Sequence, residues 1–229
     1  MQTDTQRIRF VLGTMALLLA LNVLSAVYGL GWKAVTASVA LILLLDGLYI
    51  VFCRDTQLGK WLLLGLAAGW VELCTDWWLV RTGTLVYPPD EPMIWASPAY
   101  MPFAWAVILV QIGSVGAWLK QRYGLLQATV LTALISGINI PIYEHLAKDA
   151  HFWFYQQTPM LFNAPLYVIC AEFLLALPLV WMAEVITTAR PTRSLVVGAV
   201  EGLWMFPAVV FAFWLLGPCT GAVIQWPCP

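Results

Sequence analysis

Charge is scarce in this chain. Of 229 residues only 11 are Lys or Arg and 12 are Asp or Glu, for a net charge of −1. There is no basic surface for a nucleic acid, and the few cations read better as topology signals than as a binding patch. Histidine is scarcer still, with only His145 and His151 present. Two histidines cannot build the clusters of membrane di-iron hydroxylases, nor, close together in one segment, supply opposed haem ligands from two spans. The last apolar run holds no lysine, which excludes a retinal Schiff base in a rhodopsin-like position. No DDxxD motif argues for magnesium-bound diphosphate transfer, and there is no Gly-rich phosphate loop, GxSxG elbow or CxxC pair.

What is present in excess is apolar. Hydrophobic residues make up 62% of the chain, with 13 tryptophans, a composition that fits no soluble domain of this size. The sequence predicts an all-helical polytopic membrane protein built as a single domain. Windows of about 20 apolar residues, enough to cross roughly 30 Å of hydrocarbon, fall at 9–31, 34–53, 60–81, 98–119, 123–144, 164–187 and 194–216. Arg7 and Arg9 before the first run resemble a signal peptide, but the run continues too far and lacks a small-residue cleavage site, so it reads as an uncleaved span. Arg7, Arg9, Arg54, Lys60, Lys120, Arg122, Arg190 and Arg193 fall on one side of these spans, against Lys33, Arg81 and Lys148 on the other. The expectation is an inner or plasma membrane protein with a cytoplasmic amino terminus and an external carboxyl terminus.

Two stretches are near copies. Pro92-Met93-Ile94-Trp95-Ala96-Ser97-Pro98-Ala99-Tyr100 and Pro159-Met160-Leu161-Phe162-Asn163-Ala164-Pro165-Leu166-Tyr167 lie about 67 residues apart, each between two apolar runs. They define helix-loop-helix units over about 60–119 and 123–187, followed by a tail at 217–229. Both units enter from the same side, so the copies are parallel, related by an axis along the membrane normal. Pro98 and Pro165 are expected in the first turn of a helix, where a missing N–H costs little. Convergence of two Pro-led helix starts at an aromatic-rich interface is the competing explanation of the likeness, and the repeat is the reading preferred.

Ionisable groups inside spans are costly and usually face a cavity or a partner. Glu72 and Asp76, four residues apart, share one helix face, and Trp77, Trp78 and Arg81 complete that end. In the second unit Asn139, Glu144, His145 and Asp149 end span five, and Glu172 lies in span six. These groups are expected to converge on an outward-opening pocket between spans three and six, walled by Trp95, Tyr100, Trp105, Trp153, Tyr155 and Tyr167. A carboxylic acid in an apolar aromatic cavity can stay protonated and donate to an alkene, epoxide or alcohol, while a second carboxylate acts as base or orients water. Aromatic faces stabilise a developing carbocation. Glu72 is assigned as proton donor or acceptor, Asp76 as its partner, and Glu144 and Glu172 as groups that position substrate or water. Interhelical hydrogen bonding through Asn139 or Arg81 is the structural alternative for the first pair. His145 and His151 with Glu144 and Asp149 contain metal-ligand types, but a polar loop of this make-up arises more often without a metal, and no metal or cofactor is assigned. Asp46, Glu184 and Glu201 read as structural.

Gly69-Trp70-Val71-Glu72 and Asp46-Gly47-Leu48-Tyr49 resemble segments of the integral-membrane terpene cyclases of fungal meroterpenoid pathways, which protonate with a Glu and an Asp on separate helices. In those cyclases Trp and Glu are adjacent and the Asp helix comes last, whereas here Val71 intervenes and Asp46 comes first. The Trp/Tyr/Pro loops are similar to those of integral membrane proteins of carotenoid biosynthesis. The resemblance implies an isoprenoid lyase, isomerase or cyclase whose partners are a lipid-soluble substrate and membrane lipids, with self-association left open. A small proton-coupled transporter and an assembly factor without a site are the competing readings. Cys219 and Cys228, in the Gly/Pro-containing tail on the outer side, are expected to pair.

Overall fold

The computed structural model describes residues 2–188 and 190–218. The expected Cys219–Cys228 pair lies outside the described residues, while Cys53, Cys74 and Cys170 are free thiols. The elements run α1 (Gln2–Tyr28), α2 (Trp32–Cys53), α3 (Thr56–Thr82), β1 (Leu85–Val86), β2 (Met93–Ile94), β3 (Ser97–Pro98), α4 (Met101–Tyr123) and α5 (Leu125–Asp149). They continue with β4 (Phe154–Tyr155), β5 (Met160–Leu161), β6 (Ala164–Pro165), α6 (Leu166–Ala176), α7 (Leu179–Thr188) and α8 (Pro191–Leu216). Among the described residues seven helices are long and apolar enough to cross a membrane, α6 and α7 together forming one of them. The protein is an all-α membrane bundle.

The expected sixth span is not continuous. Pro178 has no N–H to donate, so the helix stops at Ala176 and restarts at Leu179. Elsewhere the boundaries follow local chemistry. The Asp55 carboxylate caps α3 by accepting from the Gln57 and Leu58 amides and also takes the Arg7 guanidinium at 2.7 Å. Gly124, at φ +78°, is the single residue that turns α4 into α5.

The scaffold rests on close backbone approach. Gly65 and Gly69 lie on the α3 face turned to α4, and a methyl at Gly69 would sit 2.2 Å from the Pro102 carbonyl oxygen. Gly198 and Gly202 lie on the α8 face turned to α3, and a methyl at Gly198 would sit 2.1 Å from the Leu64 oxygen. Each pair is a GxxxG step, the spacing that lets membrane helices pack on dispersion rather than on the hydrophobic effect. The second unit repeats the device more loosely, with Gly137 of α5 against the Ile169 oxygen of α6 at 3.2 Å.

The two ends of the bundle differ. At one end, which carries Arg7, Arg9, Arg54, Lys60, Lys120, Arg122, Arg190 and Arg193, Arg7 pairs with Asp4 within α1 and with Asp55 at the start of α3, and Lys120 pairs with Glu184 across helices. Lys60 donates to the Thr187 carbonyl. The other end is capped by the two long loops. Each contains a two-residue hairpin, β2–β3 and β5–β6, with equivalent pairing (Met93 with Pro98, Met160 with Pro165). Trp95 and Phe162 occupy the same turn position with φ of +64° and +54°, the arrangement of a type II′ turn in which glycine is usual. Ala99 donates to the Pro92 carbonyl and Leu166 to the Pro159 carbonyl, at 2.8 and 2.9 Å. The likeness is therefore a shared fold, not merely shared composition. Pro98 does not open a helix as expected but ends β3, three residues before α4, whereas Pro165 ends β6 and is also the cap residue from which α6 starts; in both hairpins the next amide makes the closing bond. The two loops also join each other. Strands β1 and β4 pair antiparallel, Leu85 opposite Tyr155 and Val86 opposite Phe154, extended by the Gln156 amide to the Thr84 carbonyl at 2.9 Å.

Candidate active site

Beneath this double loop lies a cavity of about 280 Å³, at the lower edge of the roughly 300–1,000 Å³ typical of small-molecule sites. Glu72, Asp76, Glu144 and Glu172 all line it, so the four acids expected to converge do so. Trp105, Asn139, Trp153, Tyr155 and Tyr167 line it as well. Lys, Arg and His are absent from its lining.

The pseudo-symmetric helices present matching positions. On α4 the cavity is lined by Met101, Ala104, Trp105 and Ile108; on α6 by Val168, Ala171, Glu172 and Leu175, the same four steps in the second unit. Trp105 thus stands where its counterpart is Glu172. On the preceding helices Glu72 and Asp76 correspond to Asn139 and Tyr143 by the hairpin offset. The backbone is duplicated and the chemistry is not.

Each acid is held differently. The Tyr87 hydroxyl donates to Asp76 Oδ2 at 2.6 Å, and the Trp153 indole N–H donates to Glu144 Oε2 at 2.6 Å. Ser136 donates to Glu172 Oε2 at 3.3 Å. Glu72 is 3% exposed and its Oε2 has no partner, although the Trp105 indole faces its carboxyl. Thr75, Asn22 and Gln111 add buried polar atoms without partners to the same lining. At the roof, Tyr167 shares a 2.9 Å hydrogen bond with Thr84 of the other loop, which locks one unit onto the other above the acids.

The remaining expected wall residues lie elsewhere. Trp78 is buried against Phe206 and Phe213 of α8, as the helix face opposite Asp76 requires. Trp77 stacks on Trp95 and carries Arg81 over its ring, a surface cluster outside the cavity. Tyr100 is buried beneath the first loop, its hydroxyl toward Glu91. His145 is exposed on α5, 2.6 Å from Asn163 and 3.7 Å from Asp149. Because α5 continues through Asp149, Glu144 turns inward while His145 turns outward, and His151 lies against Gly29. No cluster of three metal-ligand residues exists among the described residues.

Three contributions lie outside the sequence-based expectation. The cavity is not confined to spans three to six: Met15, Leu18, Leu19 and Asn22 of α1 and Val209 of α8 complete it. Tyr87 and Tyr143, unassigned by sequence, hold or face the acids. The cavity is roofed at the loop end by Tyr87, Trp153, Tyr155 and Tyr167, whereas the lining residues Ala16 and Leu19 of α1 and Asn139 of α5 are exposed near mid-helix. Its mouth therefore faces sideways, between α1 and α5, and not outward as expected. Asp46 and Glu201 are fully buried away from this lining, which also removes Asp46 as a partner of Glu72 in one cavity. Glu184 pairs with Lys120 rather than Arg190.

A family model described as a domain of unknown function, DUF6989, matches residues 73–216, well over half of the chain. The chain belongs to the DUF6989 family. The match runs from the second half of α3 to the end of α8, so it takes in Asp76, Glu144, Glu172 and the two joined loops. It opens one residue after Glu72 and leaves out α1 and α2. No curated protein and no solved structure matches the chain.

Proposed function

We propose that this DUF6989 protein is an integral membrane enzyme that performs acid–base chemistry on a lipid-soluble, isoprenoid-type substrate. The supporting observation is the meeting of four carboxyls with six aromatic rings in one cavity whose lining holds no cation. Four carboxylates without counter-charge in a low-dielectric site cannot all ionise, so protons are held there.

The carboxyls divide by their partners. Asp76 and Glu144, each receiving a short hydrogen bond that fixes its orientation, suit the roles of base and of water or substrate positioning. Glu72, with an oxygen free of protein partners, suits the proton donor. In the forward step Glu72 transfers its proton to one carbon of a double bond, leaving a tertiary cation at the other. The cation is stabilised by the faces of Trp105, Trp153 and the tyrosines. Loss of a proton to Asp76 then gives a cyclised or isomerised alkene, or capture of a water oriented by Glu144 and Glu172, whose extra proton passes to Asp76, gives an alcohol; the proton's return to Glu72 restores the starting state. The excess of positive residues opposite the loops orients the roofed end away from the cytoplasm.

The test is a mass-spectrometric profile of isoprenoid hydrocarbons and alcohols in membranes bearing wild type, Glu72→Gln or Asp76→Asn at matched protein levels. A product present only with wild type supports the reading, and its mass change identifies cyclisation or isomerisation (none) against hydration (one water). The break at Pro178, halfway along a span, favours a second reading as a proton-coupled transporter. Identical lipid profiles together with substrate-dependent proton uptake in liposomes select that one.

A further inference from the structure

We infer that the cavity is a receptor for the cationic centre of a bilayer-dissolved amphiphile, reached sideways between α1 and α5. This rests on the acid–base reading of the same cavity and names the charge and route of what it binds. Two independent features carry it. The first is uncompensated polarity: Glu72 is 3% exposed and has an oxygen without a partner, beside the unpartnered atoms of Asn22, Thr75 and Gln111. Each is at least nine-tenths buried, and each lines the cavity rather than a helix seam. Buried polar groups are normally satisfied; here Glu72 Oε2 and Asn22 Oδ1 accept, Thr75 Oγ1 can do either and Gln111 Nε2 alone only donates, and no Lys, Arg or His of the described residues lines the space to meet the acceptors.

The second feature is the mouth. Ala16 and Leu19 sit near the middle of the membrane span Asp4–Tyr28 of α1, and Asn139 near the middle of α5. All three are exposed and line the cavity. At mid-span an exposed surface meets hydrocarbon, not water. The opening is thus apolar on the α1 side and carries one amide on the other, a gate suited to a molecule with a small polar or charged head. A volume of about 280 Å³ takes that head and a few carbons beyond it, leaving a longer chain in the mouth and the bilayer. The rings of Tyr143, Trp105 and Trp153 add cation–π attraction that a neutral head lacks.

When a fixed cation enters, one protonated carboxyl gives its proton to solvent and becomes the counter-ion. Charge is conserved, with one positive centre gained and one proton released.

The experiment uses the whole protein in lipid nanodiscs, with decyltrimethylammonium and its uncharged isostere in which carbon replaces nitrogen. Empty nanodiscs are subtracted. Calorimetry in two buffers of different ionisation enthalpy is expected to give at least tenfold tighter binding of the cation and release of about one proton. Glu72→Gln with Asp76→Asn is expected to remove that preference and the proton release while leaving the isostere unaffected. Leu19→Trp, which leaves every acid in place, is expected to slow association of both probes at least fivefold. Equal affinity for the two probes in wild type would overturn the cation site, and an unchanged association rate in Leu19→Trp would overturn the sideways route. Equal affinity with lipid turnover intact removes this inference alone, whereas cation preference without any turnover removes the enzyme reading and leaves the site.

Discussion

The first and second helix-loop-helix units share a backbone and divide the chemistry. Both hairpins close with a bulky aromatic at positive φ and the same proline-ended strand. The first unit carries its acids on its leading helix and a tryptophan on the next, while the second carries Asn139, Tyr143 and Glu144 on its leading helix and Glu172 on the next. A pseudo-symmetric frame can thus hold an asymmetric site, as a directional proton transfer requires, since identical acids on both sides would give donor and acceptor the same environment.

That comparison can be broken most severely at the acids. Asp76→Asn is expected to lower product formation by about 100-fold or more, in the range of general acid–base catalysis, with Glu144→Gln lowering it less; turnover at matched folding checks this. The frame itself differs in tightness. Gly69→Ala places a methyl 2.2 Å from the Pro102 oxygen and is expected to destabilise by about 3 kcal/mol, whereas Gly137→Ala, at 3.2 Å from the Ile169 oxygen, is expected to change stability by about 1 kcal/mol or less. Thermal unfolding in detergent separates the two. The donors affect turnover less than the acids do: Tyr87→Phe and Trp153→Phe each remove one hydrogen bond to a carboxyl, worth about 1.5–3 kcal/mol. Each variant is expected to lower turnover roughly tenfold, with Tyr87→Phe the stronger because its partner is the proposed base.

The gentlest test concerns the loops. Glu91, in the first loop only, is buried with the Tyr100 hydroxyl turned toward it, and burial, only partly offset by that hydroxyl, pushes its carboxyl up to about 7. A carboxyl with a raised folded-state pKa favours the folded loop while protonated. Stability from this group is therefore complete below the ordinary glutamate range of about 4.5 and declines as pH rises through about 7. Glu91→Gln is expected to flatten that decline, and protease protection of the loop against pH measures it.

Seven spans were legible because length and hydropathy suffice for them, and the four acids were legible because charge inside a span needs a reason. The turns were hidden: a type II′ hairpin usually announces itself by glycine, and Trp95 and Phe162 occupy that position instead. The direction of each aromatic was hidden too, because a tryptophan such as Trp78 reads the same whether it faces a cavity or a helix seam. Helix α1 entered the site through Leu18, Leu19 and Asn22, whose apolar surroundings gave no sign of it. Pro178, by contrast, stood in plain view within an apolar run, and only the length of that run disguised the break.

The β1–β4 ladder has a consequence for assembly. Leu85 faces Tyr155 while Val86 faces Phe154, so the first residue of each strand meets the second residue of the other. Two identical strands related by a two-fold axis would adopt the same register. Each unit therefore carries one half of the clasp, and the ladder joins the chain on either side of Gly124. The ladder thus holds the two units of one chain together in the register that two copies about a two-fold axis would use.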